Sequence, residues 1–290
     1  MGYIAFASAK GSPGVTTAVA ALAATWPADR GLLVAELDPA GGDLAVRYDL
    51  PAEPGLVTLA AAARRDLDAA TLFAHTQPLP GAVGADHATR RILPAPVAVD
   101  QASASLAALR GRLSGVLASA GIDVLVDCGR LDPGSPVQRL ATEADLLVVV
   151  ARPVVAEVHH LAARLDGLEP RGLSLLLVGD RPYSVEEVAE AVGASPLGTL
   201  PADARAAAAL TVGDPHAVRV VRRSGLLRGA RAIAERLAFW LAPPPPSPPP
   251  ALPTAAPEPS RAAPVAEGPA EWPSPPDPAL TGGPGEEWPR

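Results

Sequence analysis

Five apolar runs punctuate the chain: Tyr3–Ala7, Leu32–Leu37, Ile122–Val126, Leu146–Ala151 and Leu173–Val178. None alternates apolar with polar, so each predicts a strand buried on both faces, as in a parallel sheet. Between them lie stretches with helical periodicity: Thr17–Trp26, Val57–Arg65, Gln101–Ala120, Val154–Leu168, Val185–Val192 and Ser224–Leu241. Strand and helix in alternation predict an α/β protein, a doubly wound and mostly parallel sheet flanked by helices. Gly81–Arg91 carries no readable period, and Ile92–Pro94 reads as the close of a further strand.

The pattern stops at Pro243. Residues 1–242 form the predicted domain, and residues 243–290 are mostly Pro, Ala, Glu, Ser and Gly. A segment so poor in apolar surface cannot offset its ordering entropy, so a disordered, partly polyproline tail is expected. Within it, Glu271-Trp272-Pro273 and Glu287-Trp288-Pro289 read either as solvated tail or as docking motifs for a protein partner.

Composition narrows the function. Hydrophobic residues make up 48% and aromatics only 3%, so the core is aliphatic. One cysteine, Cys128, allows no intrachain disulfide and fits a reducing, cytoplasmic setting. A net charge of -7 argues against DNA as the partner. No signal-type segment or run long enough to span a bilayer is read. His75, His87, His159, His160 and His216 show no metal-ligand spacing. Lys10 is the only lysine in the chain and lies in a Gly-rich loop. In a chain that otherwise uses arginine, that suggests a position requiring a compact point charge.

That loop is Ser8-Ala9-Lys10-Gly11-Ser12-Pro13-Gly14-Val15-Thr16-Thr17, between the first strand and an alanine-rich helix. Such a turn presents backbone N–H groups and the positive end of a helix dipole to an anion. A strict P-loop reads G-x-x-x-x-G-K-[ST]; here Ala9 and Val15 stand in for its first glycine and its lysine. The amides of Gly14, Val15, Thr16 and Thr17 can bind phosphate, while Pro13 has no N–H to offer. Thr16 can place a hydroxyl on Mg²⁺, Asp127 at a strand's carboxyl end can hold that metal through water, and Asp38 can orient an attacking water. Plainer readings exist: Asp38 as a carboxylate capping Gly41-Gly42, and Asp127 as the partner of Arg130.

The loop resembles the deviant phosphate loop of MinD/ParA ATPases, K-G-G-x-G-K-T-[TS], with Lys10, Gly11, Gly14, Thr16 and Thr17 matching and Ser12 and Val15 departing. Retention of the first lysine with loss of the second resembles the CpaE/TadZ branch, associated with Tad-type pilus assembly. Glu36-Leu37-Asp38-Pro39-Ala40-Gly41-Gly42-Asp43-Leu44, the strand Asp123–Asp127, Glu143-Ala144-Asp145 and Gly198-x-Leu200-Pro201-x-Asp203 continue the likeness over residues 1–242. The resemblance implies a P-loop NTPase fold, ATP and Mg²⁺ as ligands, and a face-to-face homodimer in which Lys10 reaches the partner's nucleotide. It further implies a hydrolytic role for Asp38 and an adenine contact at Arg181. With Val15 in the lysine position, hydrolysis is expected to be slow or absent, and Lys10 is the lysine left to compensate.

The expected function is a nucleotide-dependent organiser of a cell-envelope machine, recruited to the membrane or a cell pole. A slow DNA-partitioning ATPase and a scaffold without nucleotide are the competing classes. The helix Ser224–Leu241 carries arginines beside an apolar stripe and reads either as a peripheral membrane contact or as a helix packed on the sheet.

Overall fold

The structure is a computed structural model that describes residues 2–10, 12–80, 90–211, 221 and 223–242. Gly11, His87, His216 and the tail with Trp272 and Trp288 lie outside the described residues, so the expectations placed on them are not addressed.

Eight strands form one sheet: β1 (Tyr3–Ser8), β2 (Leu32–Glu36), β3 (Gln77–Pro78), β4 (Arg90–Leu93), β5 (Asp123–Arg130), β6 (Leu146–Ala151), β7 (Leu173–Val178) and β8 (Ser195–Leu200). Their order is β3-β4-β2-β5-β1-β6-β7-β8, with β3 antiparallel and every other pairing parallel. The predicted doubly wound α/β architecture is the one observed.

Helices cover both faces. Tyr3, Ala5 and Ala7 of β1 point into one core with Val124, Val126 and Cys128 of β5. Ile4 and Phe6 point into the other, with Leu125 and the helix α1 (Val15–Thr25). This parity explains the continuous apolar runs, since each strand must satisfy two cores. The same parity puts Glu36 and Asp127, aligned in the β2–β5 register, on the α1 face.

The helices that matter for the site are α1 and the short α2 (Leu44–Arg47). Next in chain order come α3 (Leu56–Ala62), α4 (Ala69–Ala74), α5 (Val99–Leu109) and α6 (Leu113–Ala118). The predicted single helix Gln101–Ala120 is therefore two, because Gly111 takes a left-handed φ of 79° between them. Beyond β5 come α7 (Gln138–Glu143), α8 (Val155–Leu165), α9 (Val185–Val192), α10 (Ala204–Thr211) and α11 (Gly225–Leu241). The stripe Leu226, Ala230, Ile233 and Leu237 of α11 is buried, so that stripe packs on the domain; Phe239 at the helix end is 84% exposed. Among the described residues no helix is long and apolar enough to cross a membrane.

Candidate functional site

The carboxyl ends of β1, β2 and β5 open into a cavity of about 590 Å³. Its lining includes Ser8, Ser12, Gly14, Val15, Thr16, Thr17, Asp38, Pro39, Ala40, Asp43, Arg47, Gly129, Arg130 and Asp132. This is the crevice beyond the strand ends in which open α/β sheets bind ligands.

One wall is the loop from β1 to α1. Gly14 caps α1 at φ 100°, a conformation that favours glycine, and its carbonyl accepts from Ala18 N at 2.8 Å. The next residues start the helix, so the first-turn amides lack intrahelical acceptors. Val15 is buried among the core residues of the α1 face. Lys10 does not line the cavity. It is exposed, and its Nζ lies 3.0 Å from His160 Nε2 on α8, where the lysine donates and the ring accepts.

The opposite wall is built on two buried carboxylates. Glu36, at the end of β2, accepts from Asp43 N (2.7 Å), Leu44 N (2.9 Å) and Ala95 N (3.1 Å). It thus pins the loop that carries Asp38. Burial nevertheless raises its pKa to about 7, against the lowering effect of those bonds. Gly42 passes so close that a Cβ there would meet Glu36 Oε2 at 2.4 Å.

Asp127 is fully buried at the end of β5. One oxygen accepts from Gly129 N at 2.9 Å; Oδ2 has no hydrogen-bond partner. Burial pushes its pKa up to about 6, and the adjacent Thr16 hydroxyl draws it back without closing a bond to Oδ2. A buried oxygen without a donor, beside a hydroxyl at the floor of a phosphate-type loop, suits a hydrated divalent cation. Asp127 makes no ion pair with Arg130, which is exposed at the strand end and lines the cavity.

Asp38 uses one oxygen to accept from Ala40 N at 2.8 Å, and its own carbonyl accepts from Gly41 N at 3.1 Å. The carboxylate thus caps the turn at Ala40 and not at Gly41-Gly42, whose amides bond to the Asp38 and Pro96 carbonyls. Its carboxyl lies against Gly129, where a Cβ would come within 2.0 Å of it, so Gly129 admits the close approach. Burial raises the Asp38 pKa, Asp43 adds to the effect, and Arg130 opposes it.

Sequence reasoning gave Arg47 no role. Its guanidinium donates to Thr17 Oγ1 at 3.4 Å and to Asp43 Oδ2 at 3.0 Å, and it lines the cavity. The available signal was its position four residues after Asp43 on a short helix, the spacing of an ion pair. Among the described residues the cations lining this cavity are Arg47 and Arg130, while Lys10, the lysine expected to compensate for Val15, lies outside it.

A second cavity of about 260 Å³ shares Gly14 and Thr17 with the first and continues over Pro13, Val178, Leu200, Pro201, Asp203 and Leu226. Its lining is mostly apolar, as a flat base would require. Arg181 lines neither cavity; the Leu200-Pro201-x-Asp203 segment stands there instead. Among the described residues no cluster of His, Cys, Asp and Glu could by itself hold a metal.

No family model matches the chain, and no curated protein matches it by sequence. Solved structures do match. A ParA family ATPase from Chlorobium tepidum superposes with a TM-score of 0.65 at 19% identity, over 81% of this chain and 98% of that one. The cell division ATPase MinD of Pyrococcus furiosus gives 0.63 at 18%, over 83% and 100%. The septum site-determining protein MinD of Pyrococcus horikoshii, complexed with Mg-ADP, gives 0.58 at 18%, over 81% and 95%. The fold is that of the MinD/ParA P-loop NTPases.

Proposed function

We propose that the chain is an ATP-binding protein of the MinD/ParA type, with Mg²⁺ as its metal and slow or absent hydrolysis. The observation that carries this is Asp127 Oδ2, buried without a donor next to Thr16 of the phosphate-type loop. Keeping an unpartnered carboxylate oxygen inside a fold opposes stability, so a ligand is the economical reason for it.

Gly11, Gly14, Val15, Thr16 and Thr17 form the phosphate loop, and Thr16 with Asp127 would hold the metal, the latter through water. The cavity is lined by Asp38, Asp43 and Asp132 against Arg47 and Arg130, so its walls carry more negative than positive charge. Bound Mg²⁺ would supply the charge neutralisation that polyphosphate needs there. Asp38 would hold an attacking water; that its second oxygen lies against Gly129 and the residue lines the cavity supports this role. With Val15 in place of the P-loop lysine, one fixed cation is missing, which slows phosphoryl transfer.

The nucleotide would govern a homodimer through Lys10, and the dimer would organise or assemble a cell-envelope machine such as a Tad-like pilus. Support for that branch is the loop itself, which keeps Lys10 and lacks the second lysine. A protein partner would be met through the Pro-rich tail, and a peripheral membrane contact through the exposed Phe239 and Trp240 ending α11.

Calorimetric titration with ATP and ADP, with and without Mg²⁺, tests the reading. Binding should require Mg²⁺ and favour ATP. Thr16→Ala should weaken it about tenfold in Mg²⁺, the scale of one lost ligand bond, and much less in EDTA. No binding at millimolar nucleotide would leave the scaffold as the better description.

A further inference from the structure

Val15 brings no cation to the cavity it lines. Val15 is only 5% exposed and packs in the same core as Ile4, Phe6 and Val19. Lys10 is turned to His160, outside the cavity. The charge facing the first-turn amides comes from another element.

That element is α2, and its position is set from within the sheet. Glu36 holds the backbone N–H groups of Asp43 and Leu44, which fixes where the helix starts. One turn later Arg47 falls opposite the first turn of α1. Its side chain is 17% exposed and reaches Thr17 Oγ1, inside the stretch Gly14–Thr17. The 3.4 Å contact with Thr17 is long, and the other partner, Asp43, is 66% exposed. A guanidinium has five N–H donors, and these two bonds leave others unused on a residue that lines the cavity. Arg130, the other cation, stands on the far wall, where its charge acts on Asp38.

We propose that Arg47 is the phosphate-binding cation of this chain, taking over from α2 the role that Val15 leaves vacant in the phosphate loop. The inference rests on the nucleotide-binding proposal and specifies how the polyphosphate is held. A planar fork can bridge Asp43, the Thr17 hydroxyl and a phosphate oxygen together, which an ammonium cannot do from the same position.

The test compares Arg47→Ala, Arg47→Lys and Arg130→Ala with the wild-type chain, titrating MgATP and MgADP and recording nucleotide-free melting curves. Arg47→Ala should weaken ATP by about tenfold to a hundredfold, the span of one charge-assisted hydrogen bond, and ADP by less. Arg47→Lys should recover part of the loss, and Arg130→Ala should cost less than about threefold, as expected for a cation away from the amides. Val15→Lys should restore affinity strongly in the Arg47→Ala background and weakly in wild type. If Val15→Lys does not fold, the Arg47→Lys recovery decides. Losses accompanied by a matching fall in the nucleotide-free melting temperature, with no recovery in Arg47→Lys or on adding Val15→Lys, would assign Arg47 a merely structural role and overturn the inference. So would unchanged ATP affinity in Arg47→Ala, with the nucleotide reading left standing. A wild-type chain that binds no nucleotide overturns both.

Discussion

Asp123 and Asp127 stand four residues apart on β5, both buried, and the molecule treats them in opposite ways. At the amino end of the sheet, Asp123 accepts from Arg30 Nε and Nη2, both at 2.5 Å, and from Trp26 Nε1 at 2.9 Å. Every lone pair that matters has a donor, and the contacts tie the end of α1 and the α1–β2 turn to the strand. At the carboxyl end, Asp127 keeps an oxygen without a partner, and burial raises its pKa to about 6. The difference separates two uses of a buried carboxylate. One closes the fold; the other leaves a buried acceptor open, which on the proposed reading a hydrated Mg²⁺ would use. Glu36 lies between these cases, fully bonded yet raised to about 7 by burial, since it serves the fold by shaping the site.

The largest expected effect is at the satisfied end. Asp123→Ala removes a buried ion pair and orphans the Trp26 N–H. Breaking such a pair costs roughly 3–5 kcal/mol, reduced here to about 2–4 because Arg30 is partly exposed and can turn to water. Urea denaturation should show this loss, while nucleotide affinity of the folded fraction stays unchanged. Asp127→Asn should do the reverse, keeping the midpoint and losing Mg²⁺-dependent binding. Equal stability losses for the two variants would collapse the distinction between the ends of the strand.

Glu36 sharpens the comparison through pH. Its folded pKa lies above the ordinary carboxylate value of 4.5, at about 7. The stability it contributes is therefore fully present below about 4.5 and is lost as pH rises through about 7. Glu36→Gln carries a constant penalty, because an amide cannot accept all three N–H bonds, but it does not titrate. Between about pH 4.5 and about pH 8 the nucleotide-free wild type should lose stability relative to Glu36→Gln, by roughly 2–3 kcal/mol. Parallel pH profiles for the two proteins would show that Glu36 is ionised throughout and that its three N–H donors outweigh burial.

Much of the sheet was legible because its strands face two cores. β8 was missed: Pro196 and Gly198 interrupt its apolar pattern, and the sheet absorbs them with a register shift against β7. The split between α5 and α6 was hidden because apolar periodicity runs on through Gly111. At the site, Thr16, Asp38 and Asp127 carry recognisable spacing relative to strand ends, and the structure places them at one cavity or directly beneath it. Arg47 had no such signature. Its meaning depends on Arg47 of α2 reaching Thr17 of α1, a contact between segments thirty residues apart that local pattern does not show, with the start of α2 held by Glu36. Arg181 follows the expected strand but lines neither cavity.

The smallest effect on the isolated chain should come from Lys10, which marks the comparison's outer edge. Its Nζ meets His160 at the surface and not the cavity of its own protomer. An exposed pair of this kind adds little, so Lys10→Ala should shift stability by less than about 0.5 kcal/mol. ATP affinity of the dilute monomer should move by less than about threefold, under about 0.7 kcal/mol. The proposed role lies in a second copy, where the lysine would meet the partner's nucleotide. Light scattering at high protein concentration should therefore show an ATP-dependent dimer in wild type and none in Lys10→Ala. His160→Ala, which releases the lysine, should dimerise at least as well as wild type. A dimer that persists in Lys10→Ala would remove the proposed contact. A large loss of monomer affinity would instead return Lys10 to its own cavity and leave Arg47 with less to do.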